Sequence, residues 1–160
     1  ETASSASATW SASLSASEKT ATVSSPSCRA PRISLTARAL EGALSKHLVI
    51  TGADRSEIGV MIFPNMAELK AGGFSTEATD GALSDPALLG DIHRRLAERA
   101  REISGSSTRV ARAIVLADPP SMPDGEMTAK GNLNFRKVLT RRAGHLARLY
   151  ADSDPCVTKI

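Results

Sequence analysis

The stretch HLVITGADRSEIGVMIFPN (47–65) sets the framework of the predicted fold. Its two ends, HLVITG (47–52) and EIGVMIFPN (57–65), are short runs rich in β-branched residues and nearly continuous in apolar side chains. The polar connector GADRSE (52–57) has the length of a hairpin loop. The pattern therefore predicts two neighbouring strands that other elements cover on at least one face.

Helices are predicted before and after this strand pair along the sequence. They are SLTARALEGAL (34–44), MAELKAGG (66–73), the segment from Ser84 to Gly105, and FRKVLTRRAGHLARLY (135–150). In the third of these, Ser84 is the predicted N-cap and Gly105 the predicted stop. RVARAIVLAD (109–118) predicts a third strand, and the polar segment FSTEATDGAL (74–83) predicts a loop.

These elements together predict an α+β domain, or a compact α/β one. Its sheet would have about three strands, with helices packed against them. PPSMPDG (119–125) reads as a turn-rich link, and EMTAKGNLN (126–134) as a short hairpin or tight turn. Aromatic residues make up only 3% of the chain, so the core is expected to be aliphatic.

The start of the chain has a different composition from the rest. Residues 1–30 include 10 Ser, 7 Ala and 4 Thr, and large apolar residues are scarce among them. Such a segment buries too little surface to offset the entropy lost on ordering. We therefore expect 1–32 to be disordered, 33–152 to form the domain and 153–160 to be a tail. A targeting peptide is the alternative for the start, disfavoured because basic residues are almost absent before Arg29.

The common catalytic and metal-binding patterns are missing from the sequence. His47, His93 and His145 fall on separate predicted elements, which disfavours a metal site and favours ordinary surface or boundary roles. Cys28 and Cys156 lack metal-ligand spacing; free thiols are favoured over a disulfide. A net charge of +3 is too small to indicate nucleic acid by itself. No apolar run reaches the length of a membrane span.

The last predicted helix is strongly basic. Its cations are Arg136, Lys137, Arg141, Arg142 and Arg148, with no acidic residue among them. One interpretation is a face that binds an anionic partner. The other is a solvated helix face whose charges suit the C-terminal end of the helix dipole. Nucleic acid is disfavoured, because no aromatic residues are interleaved to stack on bases.

Lys130 lies on a turn next to Gly131, in the segment TAKGN (128–132). A lysine on such a turn can reach a phosphate or a carboxylate as a point charge. Glycine beside it lets the backbone approach a ligand closely. Turn lysines are common, so this pattern alone is weak evidence of a site.

A longer stretch, GEMTAKGNLNFRKVLTRRAGHLARLYAD (125–152), resembles the C-terminal end of feruloyl-CoA synthase-type enzymes. These belong to the AMP-forming acyl-CoA synthetase, or adenylate-forming, superfamily and carry a similar Glu-x-Thr-x-Lys-Gly-x-x-Asn-x-Arg segment. HLVITGADRSEIGVMIFPN and ARAIVLADPPS (111–121) are similar to strands of the same domain. The resemblance covers roughly residues 33–152 and implies a small lid domain that takes two orientations over a large adenylation domain.

The resemblance also implies four site residues, with Gly131, Asn132 and Arg136 near the substrate or nucleotide. Lys130 would be catalytic, stabilising the charge that develops as the acyl adenylate forms. Gly131 would allow close approach, and Arg136 would support the turn or face the nucleotide. Asn132 falls where most of the superfamily has its catalytic lysine, in the pattern Thr-x-Ser-Gly-Lys-Ile-x-Arg, so Lys130 is the candidate replacement two residues earlier.

In a complete enzyme the resemblance implies ATP, Mg and CoA, with an aromatic carboxylic acid as substrate. The chain contains no Gly-Arg hinge pattern and is too short for the adenylation domain, so we expect it to be inactive alone and to bind none of these. A truncated or frameshifted gene is the hypothesis for its start. We expect a cytoplasmic protein without nucleic-acid or membrane partners. The alternative is a non-catalytic α/β binding module whose basic last helix takes an anionic partner.

Overall fold

The computed structural model describes residues 45–53, 55–102 and 109–160. The predictions that fall outside these ranges concern the disordered start at 1–32, the helix at 34–44 and the stop at Gly105. Within the described ranges, no helix combines the length and the apolarity needed to cross a bilayer.

The described residues form one four-stranded sheet, one two-stranded sheet and four helices. The strands are β1 (Ser45–Thr51), β2 (Ile58–Pro64), β3 (Ala78–Thr79), β4 (Ala82–Leu83), β5 (Val110–Val115) and β6 (Val157–Lys159). The helices are α1 (Met66–Ala71), α2 (Pro86–Glu102), α3 (Phe135–Arg141) and α4 (Ala143–Leu149). The prediction of an α+β fold is confirmed, although the main sheet gains one strand over the expected three.

The main sheet has the strand order β1-β2-β5-β6. β1 and β2 are antiparallel, as the hairpin-length connector at 52–57 predicts, and β2 and β5 are parallel. Parallel strands need a crossover connection, and here it contains α1, the β3–β4 pair and α2. The outer strand β6 returns antiparallel to β5.

Helices cover both faces of the sheet, which explains the nearly continuous apolar run in β2. Val60 and Ile62 belong to one buried cluster, whereas Met61 and Phe63 belong to the other, as the two-residue period of a strand requires. The helical side chains in these clusters are Leu69, Leu88, Ile92 and Leu96 from α1 and α2 on the first face, and Val138 and Leu149 from α3 and α4 on the second.

The segment 74–83, predicted to be a loop, contains the small hairpin β3–β4. Its two-residue turn has Asp80 at φ 49° and Gly81 at φ 76°, the left-handed geometry that Asp-Gly turns favour. Ala82 and Leu83 are fully buried and enter opposite clusters of the core. The prediction was wrong because β3 is exposed and each strand has only two residues, too few to show a period.

Residues 153–160, predicted to be a tail, are part of the fold. Val157–Lys159 form β6, whose partners on β5 are Arg112, Ala113 and Ile114. Cys156 is fully buried in the second cluster. A strand of three residues is too short to be recognised from sequence period, which explains the misplaced boundary.

Two helix ends also differ from prediction. The N-cap of α2 is Asp85 rather than Ser84, because the Asp85 carboxylate accepts from the Ala87 amide at 2.8 Å. The predicted last helix, 135–150, is divided at Arg142 into α3 and α4. Arg142 has φ −92° and ψ 26°, outside helical geometry, while its guanidinium reaches the segment that precedes Lys130.

Candidate functional site: the Lys130 hairpin and its base

The segment 126–134 forms the tight hairpin that the sequence predicts. Met127 and Leu133 pair in an antiparallel bridge, and the Thr128 amide donates to the Asn132 carbonyl at 2.8 Å. Gly131, at φ 81°, donates its amide to the Thr128 carbonyl at 2.9 Å. The Thr128 hydroxyl accepts from the Asn132 amide at 3.1 Å, so backbone and side chain both close the turn.

Lys130 lies at the exposed tip of this hairpin. Among the described residues, no carboxylate lies within ion-pair distance of its amine. A side chain other than hydrogen at Gly131 would be strained by the positive φ rather than by any neighbour, since nothing lies within 4 Å of a Cβ built there. The arrangement presents a cation on a short support that is free to meet an anionic ligand.

The base of the hairpin is fixed by apolar contact and by a buried carboxylate. Leu133 packs against the second cluster of the core. Glu126, which is only 1% exposed, begins the hairpin, and its carbonyl accepts from the Asn134 amide at 2.8 Å. Asn134 then caps α3 through a side-chain bond from the Lys137 amide. The hairpin therefore joins α3 without an intervening linker.

The Glu126 carboxylate forms a two-pronged ion pair with Arg142. Arg142 donates from Nε to Oε1 at 2.9 Å and from Nη2 to Oε2 at 3.1 Å. Oε2 also accepts from the Ser121 amide at 2.8 Å, and Arg142 Nη2 reaches the Pro119 carbonyl at 3.2 Å. Breaking a buried pair by removing one partner typically costs about 3–5 kcal/mol, because the other charge is left uncompensated.

The charges around Glu126 keep it ionised. Hydrogen bonding from Arg142 lowers the pKa of Glu126 below its ordinary value, against the opposing effect of burial. The same bond raises the pKa of the Arg142 guanidinium. Arg141 adds a partly exposed pair with Asp124 at 3.0 Å. The turn at 121–126 is thus held to the α3–α4 junction by charge, close to where Lys130 emerges.

Of the five cations predicted on the last helix, three have acidic partners among the described residues. Arg141 and Arg142 pair as described, and Arg148 makes a two-pronged pair with Asp154 at 2.7 and 3.2 Å. Arg148 also donates to the Asp80 carbonyl at 2.9 Å. Arg136 and Lys137 are exposed. Because these acids lie outside the predicted helix, its sequence alone overstates its positive surface.

The four predicted site residues are close together along the chain. Lys130, Gly131 and Asn132 share the exposed turn, and Arg136 is exposed in the first turn of α3. The three histidines lie on separate elements, as predicted, although they are not equally exposed. Within the described ranges, no three His, Cys, Asp or Glu side chains are grouped as a metal site would need.

Sequence reasoning missed the Glu126–Arg142 pair. Arg142 is one of five cations on a helix predicted to be continuous, and Glu126 is the first residue of the Glu-x-Thr-x-Lys-Gly segment. The two are 16 residues apart, and no helical or strand period connects them. The one sequence signal is that the basic helix contains no acid, so any ion pair made by its arginines must be with residues outside it.

The sequence matches no protein-family profile and no curated protein. Its structure resembles adenylation domains of carboxylic acid reductases. The adenylation–carrier didomain from Segniliparus rugosus, in complex with AMP, aligns with TM-score 0.53 at 21% identity over 73% of this chain. The adenylation domain from Mycobacterium chelonae aligns with TM-score 0.55 at 21% identity over 74% of this chain. At this identity the likeness is one of fold.

The alignments extend over a small part of those proteins. This chain covers 15% of the didomain and 17% of the Mycobacterium chelonae domain. A second Segniliparus rugosus structure, the adenylation domain with AMP and a co-purified carboxylic acid, is also covered over 17% of its length. The described fold therefore resembles a small part of these adenylation domains.

Proposed function

We propose that this chain serves as the lid of an AMP-forming enzyme that activates a carboxylic acid, of the feruloyl-CoA synthase type. The observation that carries the proposal is the Lys130 hairpin: an exposed cation at the tip of a tight turn whose base is fixed to the core. The fold shared with part of adenylate-forming domains supports the same reading.

The proposed chemistry is charge stabilisation. An acyl adenylate forms when a carboxylate attacks the α-phosphorus of ATP and pyrophosphate leaves. Negative charge concentrates on the phosphate and the leaving group, and a cation fixed there lowers the barrier most strongly where water is excluded. Lys130 would supply that cation when the lid closes over the large domain, with Gly131 and Asn132 forming the turn beneath it.

ATP, CoA and Mg²⁺ would be shared with the large domain. No described residue is assigned to Mg²⁺, since the described ranges hold no cluster of metal-ligating side chains. Arg136 is the second cation of the proposed site, one turn from the hairpin. We propose that it supports the turn or the nucleotide, and that the acid pocket belongs to the large domain.

The proposal is tested by complementation. The full 160-residue chain is mixed with the large domain of a feruloyl-CoA synthase whose own lid has been deleted, and pyrophosphate release from ATP and ferulate is measured. We expect no release by the chain alone, slow release by the large domain alone and faster release by the mixture. Release by the chain alone, or no gain on mixing at saturating chain, would contradict the proposal.

A further inference from the structure

Glu126 ties together three segments of the chain. Its carboxylate accepts hydrogen bonds from Arg142 at the α3–α4 junction and from the Ser121 amide in the preceding turn. Its backbone carbonyl accepts a hydrogen bond from the Asn134 amide at the end of the hairpin. Lys130 lies in the turn between Glu126, on the first arm of the hairpin, and Asn134, at the end of the second. Glu126 is therefore, with Leu133, one of the points at which the hairpin is held to the core.

We propose that the Glu126–Arg142 pair is a positioning device that fixes the direction of the Lys130 hairpin, an inference that rests on the proposed function. Glu126 and Arg142 are positioning residues, because both carboxylate oxygens and two guanidinium nitrogens are occupied within the protein. Two parallel bonds fix an angle as well as a distance, which one apolar contact does not.

The Arg142 guanidinium is itself held from other directions. It lies 5.6 Å from the centre of the Phe63 ring and donates to the Pro119 carbonyl. Phe63 is at the end of β2, and Pro119 follows β5, so both contacts lead to the central strands. The base of the hairpin is thereby connected to the end of β2 and to the segment that follows β5. A lysine carried on such a support would return to the same place at each closure of the lid.

The competing explanation is that the pair contributes only stability. A double variant, Glu126→Leu with Arg142→Met, distinguishes the two explanations because it removes both charges together. Apolar replacement of a buried ion pair is often neutral for stability or favourable to it. The variant is therefore expected to keep the wild-type melting temperature while losing the two-pronged bond and the Ser121 contact.

The first readout needs no assumption about function. Backbone amide exchange and ¹⁵N relaxation are measured on the full chain at Thr128, Gly131 and Asn134. In the double variant we expect exchange at these amides to be about 10-fold faster, the order of one lost charge-assisted hydrogen bond, with the central strands unchanged. Wild-type exchange in the hairpin of a folded double variant would overturn the proposal.

The second readout is the complementation assay at saturating chain. A positioning role predicts that the double variant lowers the maximal rate of pyrophosphate release about 10-fold or more although its stability is restored. A purely structural role predicts full activity, which would overturn the proposal. If the double variant does not fold, Arg142→Lys, which keeps the charge but not the two-pronged geometry, takes its place with the same expected results.

The proposed function and the positioning role predict different results for Lys130→Ala and for the double variant. If Lys130→Ala leaves complementation intact while the double variant loosens the hairpin, the proposed function is wrong, whereas the Glu126–Arg142 pair still fixes the hairpin. If Lys130→Ala abolishes complementation while the double variant retains both a rigid hairpin and full activity, the function stands and the positioning role is wrong.

Discussion

A hydrogen side chain is required at residue 59, where α4 crosses β2. A Cβ built on Gly59 would lie 2.7 Å from Leu149 Cδ2 and 2.8 Å from the Thr51 hydroxyl. Leu149 is fully buried and Thr51 is 6% exposed, so neither has open space into which it can move. The contact fixes α4, and with it the α3–α4 junction that holds Glu126, against the sheet.

Gly59→Ala is therefore expected to destabilise the protein by about 1–3 kcal/mol, the usual range for overpacking a filled core. The matched control is Gly90→Ala in α2, where nothing lies within 4 Å of the added Cβ. That change is expected to stabilise by about 0.5–1 kcal/mol, as alanine favours helix over glycine. Urea denaturation of both variants measures the difference, and an equal effect of the two would contradict the packing argument.

His145 is another residue whose surroundings have a measurable consequence. Its Nδ1 is buried and lacks a hydrogen-bond partner among the described residues, and its ring lies against Gly81 in the β3–β4 turn. Burial lowers the pKa of His145, with nearby Arg142 and Arg148 acting in the same direction and Asp118 opposing them. The neutral ring is thus the form that the folded protein accommodates.

Stability is expected to fall as the pH is lowered past about 6.5, the ordinary histidine value. The unfolded chain takes up the proton first, because the folded-state pKa is lower, and the loss is complete once the pH passes that lower pKa. His47 contributes with the same sign, since burial lowers its pKa as well. Thermal melts from pH 8 to 5 should show a smaller decline for His145→Gln than for wild type; an identical decline would contradict the assignment.

At the scale of elements, the small hairpin β3–β4 is held from two sides. Arg148 of α4 donates to the Thr79 and Asp80 carbonyls and pairs with Asp154 before β6. In β4, Leu83 packs in the first core cluster and Ala82 in the second. One arginine therefore links the crossover connection, the last helix and the final strand.

Arg148→Met should loosen this region by removing the bonds while keeping the aliphatic stem. We expect a loss of about 1–3 kcal/mol, since Asp154, only partly exposed, would be left without its partner. Amide exchange at Ala82 and Cys156 would report it. The control is Arg94→Met in α2, because Arg94 is 58% exposed and its partner Asp91 keeps a second ion pair with Arg95. Equal effects of the two changes would contradict the linking role.

At the scale of the whole molecule, β6 completes the sheet and covers β5. Its pairing with Arg112, Ala113 and Ile114 leaves β5 with a neighbour on each side. Cys156 adds a buried side chain to the second cluster, where burial raises the pKa of its thiol. The final eight residues therefore have a share in the stability of the domain.

Deletion of residues 153–160 is expected to lower the melting temperature by roughly 10 °C or more, because several kcal/mol of strand pairing, burial and the Asp154 ion pair are lost together. Differential scanning calorimetry measures this. A deletion variant that melts with the full chain would show that the segment is a tail after all.

The parts of this fold that the sequence predicted are those with a repeated pattern. The apolar runs of β1, β2 and β5 and the stripe of α2 extend over six or more residues, so their period is readable. β3, β4 and β6 have only two or three residues each, too few to show a period. The Asp-Gly pair at 80–81 is the only sequence signal of the β3–β4 hairpin within the described residues. The Lys130 turn was predictable from Gly131, whereas Glu126 and Arg142 meet through the tertiary fold, which no local pattern encodes.

Lys130 is proposed to be the cation of the adenylation step. The most direct measurement is the maximal rate of pyrophosphate release in the complementation assay, with Lys130→Ala compared with Lys70→Ala. Lys70 is the matched control, because it is also exposed but lies on α1, which packs on the other face of the sheet.

We predict that Lys130→Ala lowers this rate by about 100-fold or more, the usual cost of removing a preorganised charge-stabilising group. Thioester formation from supplied feruloyl adenylate and CoA should change little, and Lys70→Ala should match wild type in both steps. Full adenylation activity in Lys130→Ala, or an equal loss in both steps, would contradict the role given to Lys130.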